Sequence, residues 1–364
     1  MTRLLSGLLR SALVCGLVAP LAALHTPRVL AARGTFDIYF IDVEGGQSTL
    51  MVTPGGQSFL IDAGFPADGT FASTSGDPTE ARDAQRILAA AHDAGIQRID
   101  YLMLTHYHAD HAGGVAELAQ LLPITTFIDH EAPTPEAEAG VPGTQAIYDG
   151  YVRRRGFAAH ISPKPGDKLP IKGIDAYVVS SVGSTLSSPL KGAHAASGTP
   201  NAACAGAGLP AQEKTENPRS TGVRVQFGKF SFLDVGDLSG PALFALTCPT
   251  DMIGLADVYL IAHHGGVDAA DPAMFKSIKP LVAIFNNGST KGGAAETLAT
   301  LRRLPSIDSW QLHRSLNAGA INVADERIAN LTESTNAWIK LSAKADGSFT
   351  VTNARTGASK SYRR

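Results

Sequence analysis

The run IDYLMLTHYHADHAGG, residues 99–114, constrains this chain more than any other stretch. Its first half is nearly continuous in apolar residues, the pattern of a central strand covered on both faces. Its second half places three histidines and one aspartate within six residues. Imidazole and carboxylate are the usual nitrogen and oxygen ligands of zinc and other first-row metals. His106 and His108 are two apart, so at a strand end or in an extended loop both point to the same side. Asp110 and His111 follow where the chain turns into a helix. One turn therefore carries enough ligands to begin two metal sites. Gly113 and Gly114 let the backbone bend sharply beside the metals and bring the helix close.

The rest of the chain supplies the surroundings such a strand needs. TFDIYFIDV, STLMVTP and QSFLIDAG read as three strands, the last two joined by the turn PGGQ. EARDAQRILAAAHDAGI spaces Ile87, Leu88 and Ala91 as on a helix and stops at Gly95. After the metal-ligand run come a helix in GGVAELAQLL and a strand in ITTFIDH. Residues 129–216 are rich in Ala, Gly, Pro and Ser and read as an irregular, pocket-covering insertion, with a helix near residues 146–156 and a strand in IDAYVVSS. Regular structure resumes with GVRVQFGKFSFLDVGDL, DVYLIAHHGG, PAMFKSIKP and LVAIFNNGS. Strands in pairs, then strands alternating with helices, occur twice. That pattern predicts an α/β architecture of two mixed sheets packed face to face with helices outside. One main domain is expected over residues 34–317, and residues 318–364 alternate like a β-rich C-terminal extension.

Hydrophobic residues make up 44% of the 364 and charged residues 18%, as in an ordinary soluble globular protein. A net charge of −2 gives no whole-molecule attraction to nucleic acid or to an anionic membrane. Residues 1–32 read as an export signal: Arg3 and Arg10, then a short apolar stretch, then small residues. A periplasmic or extracellular location, with no membrane span after signal removal, is the expectation. Cys204 and Cys248 remain, as a disulfide pair or as two buried thiols. Oligomeric state is not legible.

THYHADHAGG resembles the central motif of the metallo-β-lactamase fold superfamily, and the resemblance runs from about Thr35 to Leu316. It implies a four-layer αββα sandwich that binds one or two zinc ions, with manganese or iron as alternatives, and that is most often a hydrolase. On that resemblance His106, His108, Asp110 and His111 are metal ligands. Asp62, in LIDAG, matches an aspartate that supports the metal site from behind. Asp237, in FLDVGDL, matches the aspartate that bridges both metals, with Asp234 as its competitor. In LIAHHGG one of His263 and His264 is the last ligand, and His263, which ends the apolar run, is preferred.

One departure stands out. The superfamily's hydrolases mostly supply a third histidine to the first metal, one strand before the bridging aspartate. Here ENPRSTGVRVQF offers Asn217 and Ser220 instead. This is similar to the extracellular metallo-hydrolase domain of DNA-uptake competence proteins. Asn217 is a ligand or a supporting residue on this reading, and His130 or His194 are substitutes if they fold back. On the same resemblance NNGSTKGG borders the pocket, where Lys291 meets an anionic substrate or is simply solvated, and His313 in WQLHRS is a core or surface residue or, less expected, a rim residue. The expected chemistry is hydrolysis: two cations lower the pKa of a bound water to around 7, and the hydroxide attacks a phosphodiester or ester-type bond, with Asp110 holding the second metal and orienting the nucleophile. Alternatives are a lactone or β-lactam hydrolase, or a non-catalytic metal-containing binding protein. A small-molecule or phosphodiester substrate is expected. Nucleic acid is a weaker expectation, resting on YVRRRGF with Lys164, Lys168 and Lys172.

Overall fold

The computed structural model describes residues 34–193 and 199–364. The expected export signal, residues 1–32, and His194 lie outside the described residues.

In chain order the first half comprises β1 (Phe36–Phe40), β2 (Thr49–Val52), β3 (Ser58–Ile61), α1 (Arg82–Asp93), β4 (Ile99–Met103), α2 (Ala109–Ala112), α3 (Val115–Leu121) and β5 (Ile124–Ile128). There follow α4 (Pro135–Gly140), α5 (Thr144–Arg155), β6 (Ala159–Ile161), β7 (Asp175–Ser181) and β8 (Ser184–Thr185). The second half holds β9 (Gly222–Phe227), β10 (Phe230–Asp234), α6 (Gly240–Ala245), β11 (Val258–Leu260), α7 (Pro272–Ile278), β12 (Val282–Phe285), α8 (Ala295–Arg302), β13 (Asp308–His313) and β14 (Ile328–Asn330). The chain closes with β15 (Ile339–Ala343), β16 (Phe349–Asn353) and β17 (Ser359–Tyr362).

Two sheets form among the described residues, in the orders β17-β16-β15-β1-β2-β3-β4-β5-β6 and β14-β13-β12-β11-β10-β9-β7-β8. Both are mixed. In the first, β1 to β3 are antiparallel, and β3 to β6 are parallel. In the second, β7, β9 and β10 are antiparallel, and β10 to β14 are parallel.

The layering follows from side-chain alternation along the strands. In β1, Phe36, Ile38 and Phe40 pack against Val223, Val225, Phe230 and Phe232 of the other sheet. Tyr39, between them, turns the other way and joins Leu50, Leu60 and Leu102 against Ile87 of α1 and Leu118 of α3. On the far side, Leu233, Tyr259 and Ala283 pack against Phe275 of α7 and Leu298 of α8. Each sheet thus buries both faces, one on its partner and one under helices, which gives the αββα sandwich.

Two features differ from the sequence expectation. The segment 129–216 is more regular than its composition implies: it forms α4 and α5, and its strands β6 and β7 join the two sheets. Tertiary pairing overrides its weak local preferences. Its later part is tied down by a Cys204–Cys248 disulfide. The extension, residues 318–364, adds to both sheets: β14 pairs parallel with β13 in the second, and β15 pairs antiparallel with β1 in the first, in the register Phe36 to Ala343 and Phe40 to Ile339. Among the described residues no helix is long and apolar enough to cross a membrane.

Candidate metal centre

The parallel strands β4, β10 and β11 all deliver their carboxyl ends to one edge of the sandwich. Beyond β4 the chain runs through Thr105 to His108, still extended at φ −71° and ψ 154°, and then enters α2. A Cβ on Gly113 would lie 2.3 Å from Ala109 O, and one on Gly114 would lie 2.2 Å from Ala63 O. The paired glycines are therefore required by close backbone approach, which lets α2 and α3 pack directly over the end of β3.

Four side chains converge here. His111 Nε2 stands 3.3 Å from Asp110 Oδ2 and 3.2 Å from Asp237 Oδ2. His264 Nε2 stands 3.3 Å and 3.0 Å from the same two oxygens. All four residues are buried, and their ligand atoms lie within 4.8 Å of one another. Beside them, His106 Nε2 and His108 Nδ1 face each other at 3.0 Å, and the His106 ring lies 4.1 Å from that of His111. Asp62 stands behind: its Oδ2 is 2.7 Å from His111 Nδ1 and accepts from Thr105 Oγ1, while its Oδ1 accepts from Thr105 N at 2.8 Å.

This donor set fits a cation. His111 Nδ1 gives its hydrogen to Asp62, so in the neutral ring Nε2 carries a lone pair. That lone pair faces two carboxylate oxygens, an arrangement of acceptors that only a positive charge between them stabilises. Asp237 Oδ1 is also buried and accepts no hydrogen bond, leaving an oxygen for a second cation. Without metal the pocket attracts protons instead. Burial opposes charge on His111, but Asp237, Asp110 and Asp62 outweigh it and raise its pKa well above the ordinary value. Burial likewise works against ionised Asp110, but Lys291 and His111 hold it well below the usual carboxylate range. His108 is the reverse case: burial drives its pKa down to about 4, so it stays neutral and able to ligate.

The histidine pair of LIAHHGG is separated by the structure. His264 enters the four-residue cluster, whereas His263, the sequence preference, does not. His263 Nε2 is 3.7 Å from Asp237 Oδ2 and 3.4 Å from Asn217 Nδ2, and its Nδ1 lies 2.7 Å from Asp268 Oδ2. Both histidines adopt left-handed backbone angles, φ 49° and φ 56°, which no local pattern of residues announces. Asp234 points elsewhere, accepting from Gln47 Nε2 at 2.9 Å and Gly236 N at 3.1 Å. Asn217 Nδ2 donates to Glu213 Oε1 at 2.9 Å. His130 does not join the cluster: its Nδ1 bonds to Glu131 O and its Nε2 faces Glu216. Lys291 reaches in, its Nζ touching Asp110 Oδ2 and donating to Gly45 O at 2.6 Å. Gln47, Glu213 and Asp268 carried no sequence signal, because each acts through a partner distant along the chain or through a loop turn.

A cavity of about 230 Å³ adjoins this edge. Leu243, Phe244, Tyr259 and Met274 line it, and Glu213 and Asp268, the partners of Asn217 and His263, stand on its wall.

Parts of the chain are similar to known proteins. Residues 42–182 match the family model of the metallo-beta-lactamase superfamily. The αββα sandwich is of the kind that this match implies, and the convergent donors make a candidate metal site. A ribonuclease Z of Mycolicibacterium gilvum is 34% identical over 114 residues, which is 31% of this chain and 32% of that protein. The chain thus spans about a third of the length of that curated relative. Among solved structures, the metallo-β-lactamase fold protein YhfI of Bacillus subtilis is 11% identical, with 76% of this chain and 95% of that one covered at a TM-score of 0.41. CmlA, a diiron β-hydroxylase of Streptomyces venezuelae, is 15% identical, with 68% and 44% covered at a TM-score of 0.38.

Proposed function

We propose that this protein is a metal-dependent hydrolase that cleaves a phosphodiester or ester-type bond. One observation carries the proposal: His111, His264, Asp110 and Asp237 aim four ligand atoms at one another in a buried site, with His106 and His108 alongside. In this reading Asp110, His111, Asp237 and His264 hold one cation. His106 and His108 hold the other, with Asp237 shared. Zinc suits the imidazole and carboxylate donors, and manganese or iron are the alternatives. When bound, such cations supply Lewis acidity and a nucleophile at neutral pH. The chain's own residues do the rest. Asp62 fixes the tautomer of His111, Asp110 stays ionised under the charge of Lys291, and Lys291 is placed to meet an anionic group of the substrate.

Similarity to a ribonuclease supports the phosphodiester, as do Asn217 and Ser220 where competence-type domains carry an Asn/Ser pattern. The cavity beside His263 favours a second reading. Its apolar lining with Glu213, Asp268 and Asp271 at the wall suits an uncharged apolar group rather than a polyanion, so a small ester or lactone is the competing substrate. Export to an oxidising compartment belongs to the same proposal, supported by the Cys204–Cys248 disulfide. The test is elemental analysis of purified protein together with a panel of nitrophenyl phosphodiesters, phosphomonoesters, esters, lactones and a chromogenic β-lactam. About one to two equivalents of transition metal, and turnover abolished by a chelator, are expected. Undiminished turnover by metal-free protein ends the proposal, and metal without turnover of any substrate favours a binding protein.

A further inference from the structure

A second group of ligand atoms lies away from the centre just described. Asp42, at the end of the β1 segment, Glu44 in the following loop and His313, closing β13, bring one ligand atom each within 4.8 Å of one another. Asp42 and His313 are each 1% exposed. The hydrogen-bond pattern around them leaves a specific deficit. Asp42 Oδ1 accepts from Glu44 N at 2.9 Å, but its Oδ2 has no hydrogen-bond partner. Glu44 Oε1 accepts from Arg86 Nη1 and Nη2, both at 3.0 Å, but its Oε2 has none. His313 Nδ1 stands 3.1 Å from Arg314 O, a group that can only accept, so Nδ1 carries the hydrogen. His313 Nε2 then bears a lone pair, has no hydrogen-bond partner, and faces Glu44 Oε2 at 3.4 Å.

With both carboxyls ionised, three acceptor atoms meet in a buried place with no donor among them. Charge points the same way. Ionised, Asp42 and Glu44 set two negative charges against the one positive charge of Arg86, a crowding that burial and Glu44 relieve without a cation by raising the pKa of Asp42 well above the ordinary value, and Arg86 is committed to Glu44 Oε1 and to Asp42 O at 2.8 Å. Its approach to Asp42 Oδ2 is 3.8 Å, too long for a hydrogen bond. In the ionised state one negative charge is left over. Glu44 sits at φ 56°, in the left-handed region that glycine favours.

We propose that Asp42, Glu44 and His313 form a separate cation site that takes a divalent first-row transition ion such as Zn2+ or Mn2+. One imidazole nitrogen with two carboxylate oxygens matches that class, while calcium and magnesium favour oxygen alone. Further ligands come from water. The site has a mechanical consequence. The loop between Asp42 and Gln47 carries Gly45, whose carbonyl holds Lys291, and Gln47, whose backbone N donates to Asp110 O at 3.1 Å. A cation that clamps Asp42 and Glu44 to β13 therefore stiffens the wall of the main metal centre without touching its donors.

The experiment uses the full chain. Crystals of metal-stripped protein are soaked in zinc, and anomalous maps are recorded at the zinc edge. A peak about 2.1 Å from His313 Nε2 is expected, distinct from any peak at His111 and His264. In solution, His313→Gln is expected to bind about one zinc equivalent fewer than wild type, while His264→Ala keeps that equivalent and loses one at the main centre. No anomalous peak beside His313 at saturating zinc overturns the proposal. So does His313→Gln with unchanged stoichiometry. If His313→Gln does not fold, the wild-type maps decide alone.

Discussion

Asp62→Asn tests the metal centre with almost no change of shape. Asp62 is fully buried and accepts three hydrogen bonds: Thr105 N on Oδ1, and Thr105 Oγ1 with His111 Nδ1 on Oδ2. An amide offers one acceptor and one donor. With its NH2 towards Thr105 N, two donors face each other in a site sealed from water. Leaving that backbone group unsatisfied costs about 1–3 kcal/mol of stability. With its NH2 towards His111, the imidazole must present Nδ1 as acceptor, and its hydrogen moves to Nε2, the atom that faces Asp110 and Asp237. A protonated Nε2 cannot ligate. Removing a carboxylate that orients a ligand histidine lowers metal affinity about 10- to 100-fold, or about 1.4–2.7 kcal/mol. The variant is therefore expected to lose stability, metal affinity or both. Urea unfolding of the metal-free protein reads the first, and zinc titration against a chromophoric chelator reads the second. Wild-type values in both assays would refute the assignment of Asp62 as the group that sets the His111 tautomer.

Other outcomes follow from the same geometry. His264→Ala is expected to weaken zinc binding more than His263→Ala, in the same chelator competition, because only His264 enters the four-atom cluster. Gly46→Ala sets a Cβ 2.3 Å from Asp110 O, so a loss of about 1–3 kcal/mol from overpacking, together with reduced metal affinity, is expected by unfolding and titration. The Cys204–Cys248 bridge closes a 44-residue separation, so Cys204→Ser with Cys248→Ser should cost about 4 kcal/mol in denaturant midpoint terms on the chain-entropy scale. Metal-free protein should also show a distinctive pH dependence. Burial opposes charge on His263, but Asp237 and Asp268 push its pKa up to about 9. A raised pKa means stabilisation that is complete below the unfolded value of about 6.5 and lost as pH rises through about 9. Melting temperature of chelator-treated protein should fall across that window, and His263→Gln should flatten the fall.

Much of the architecture was legible because it rests on local pattern. The alternation of Phe36, Ile38 and Phe40 with Tyr39, and the unbroken apolar run before Thr105, each reflect which faces a strand buries. His106 to His111 stood out because four donors in one turn have few other uses, and the structure brings Asp110 and His111 together with Asp237 and His264. What sequence could not resolve depends on contacts between distant segments. His263 and His264 are neighbours of the same type, and only two successive left-handed residues, held by the surrounding fold, send the second inward. The contact of Lys291 with Asp110 crosses 181 positions, and that of Gln47 with Asp234 crosses 187. Neither leaves a local trace. The regularity of residues 129–216 was hidden for the converse reason: Ala- and Gly-rich composition describes weak propensity, and the sheets supplied the order that propensity lacked.

The pairing of β15 with β1 makes the two ends of the described chain depend on each other. β1 acquires its second neighbour only from residues near the carboxyl terminus. A protein clipped before Ile339 would keep every donor of the metal centre yet uncover a row of unpaired amides and carbonyls along β1, flanked by buried aromatic rings. Such an edge recruits strands from other molecules. Tail loss would thus register first as self-association, with the metal centre still assembled.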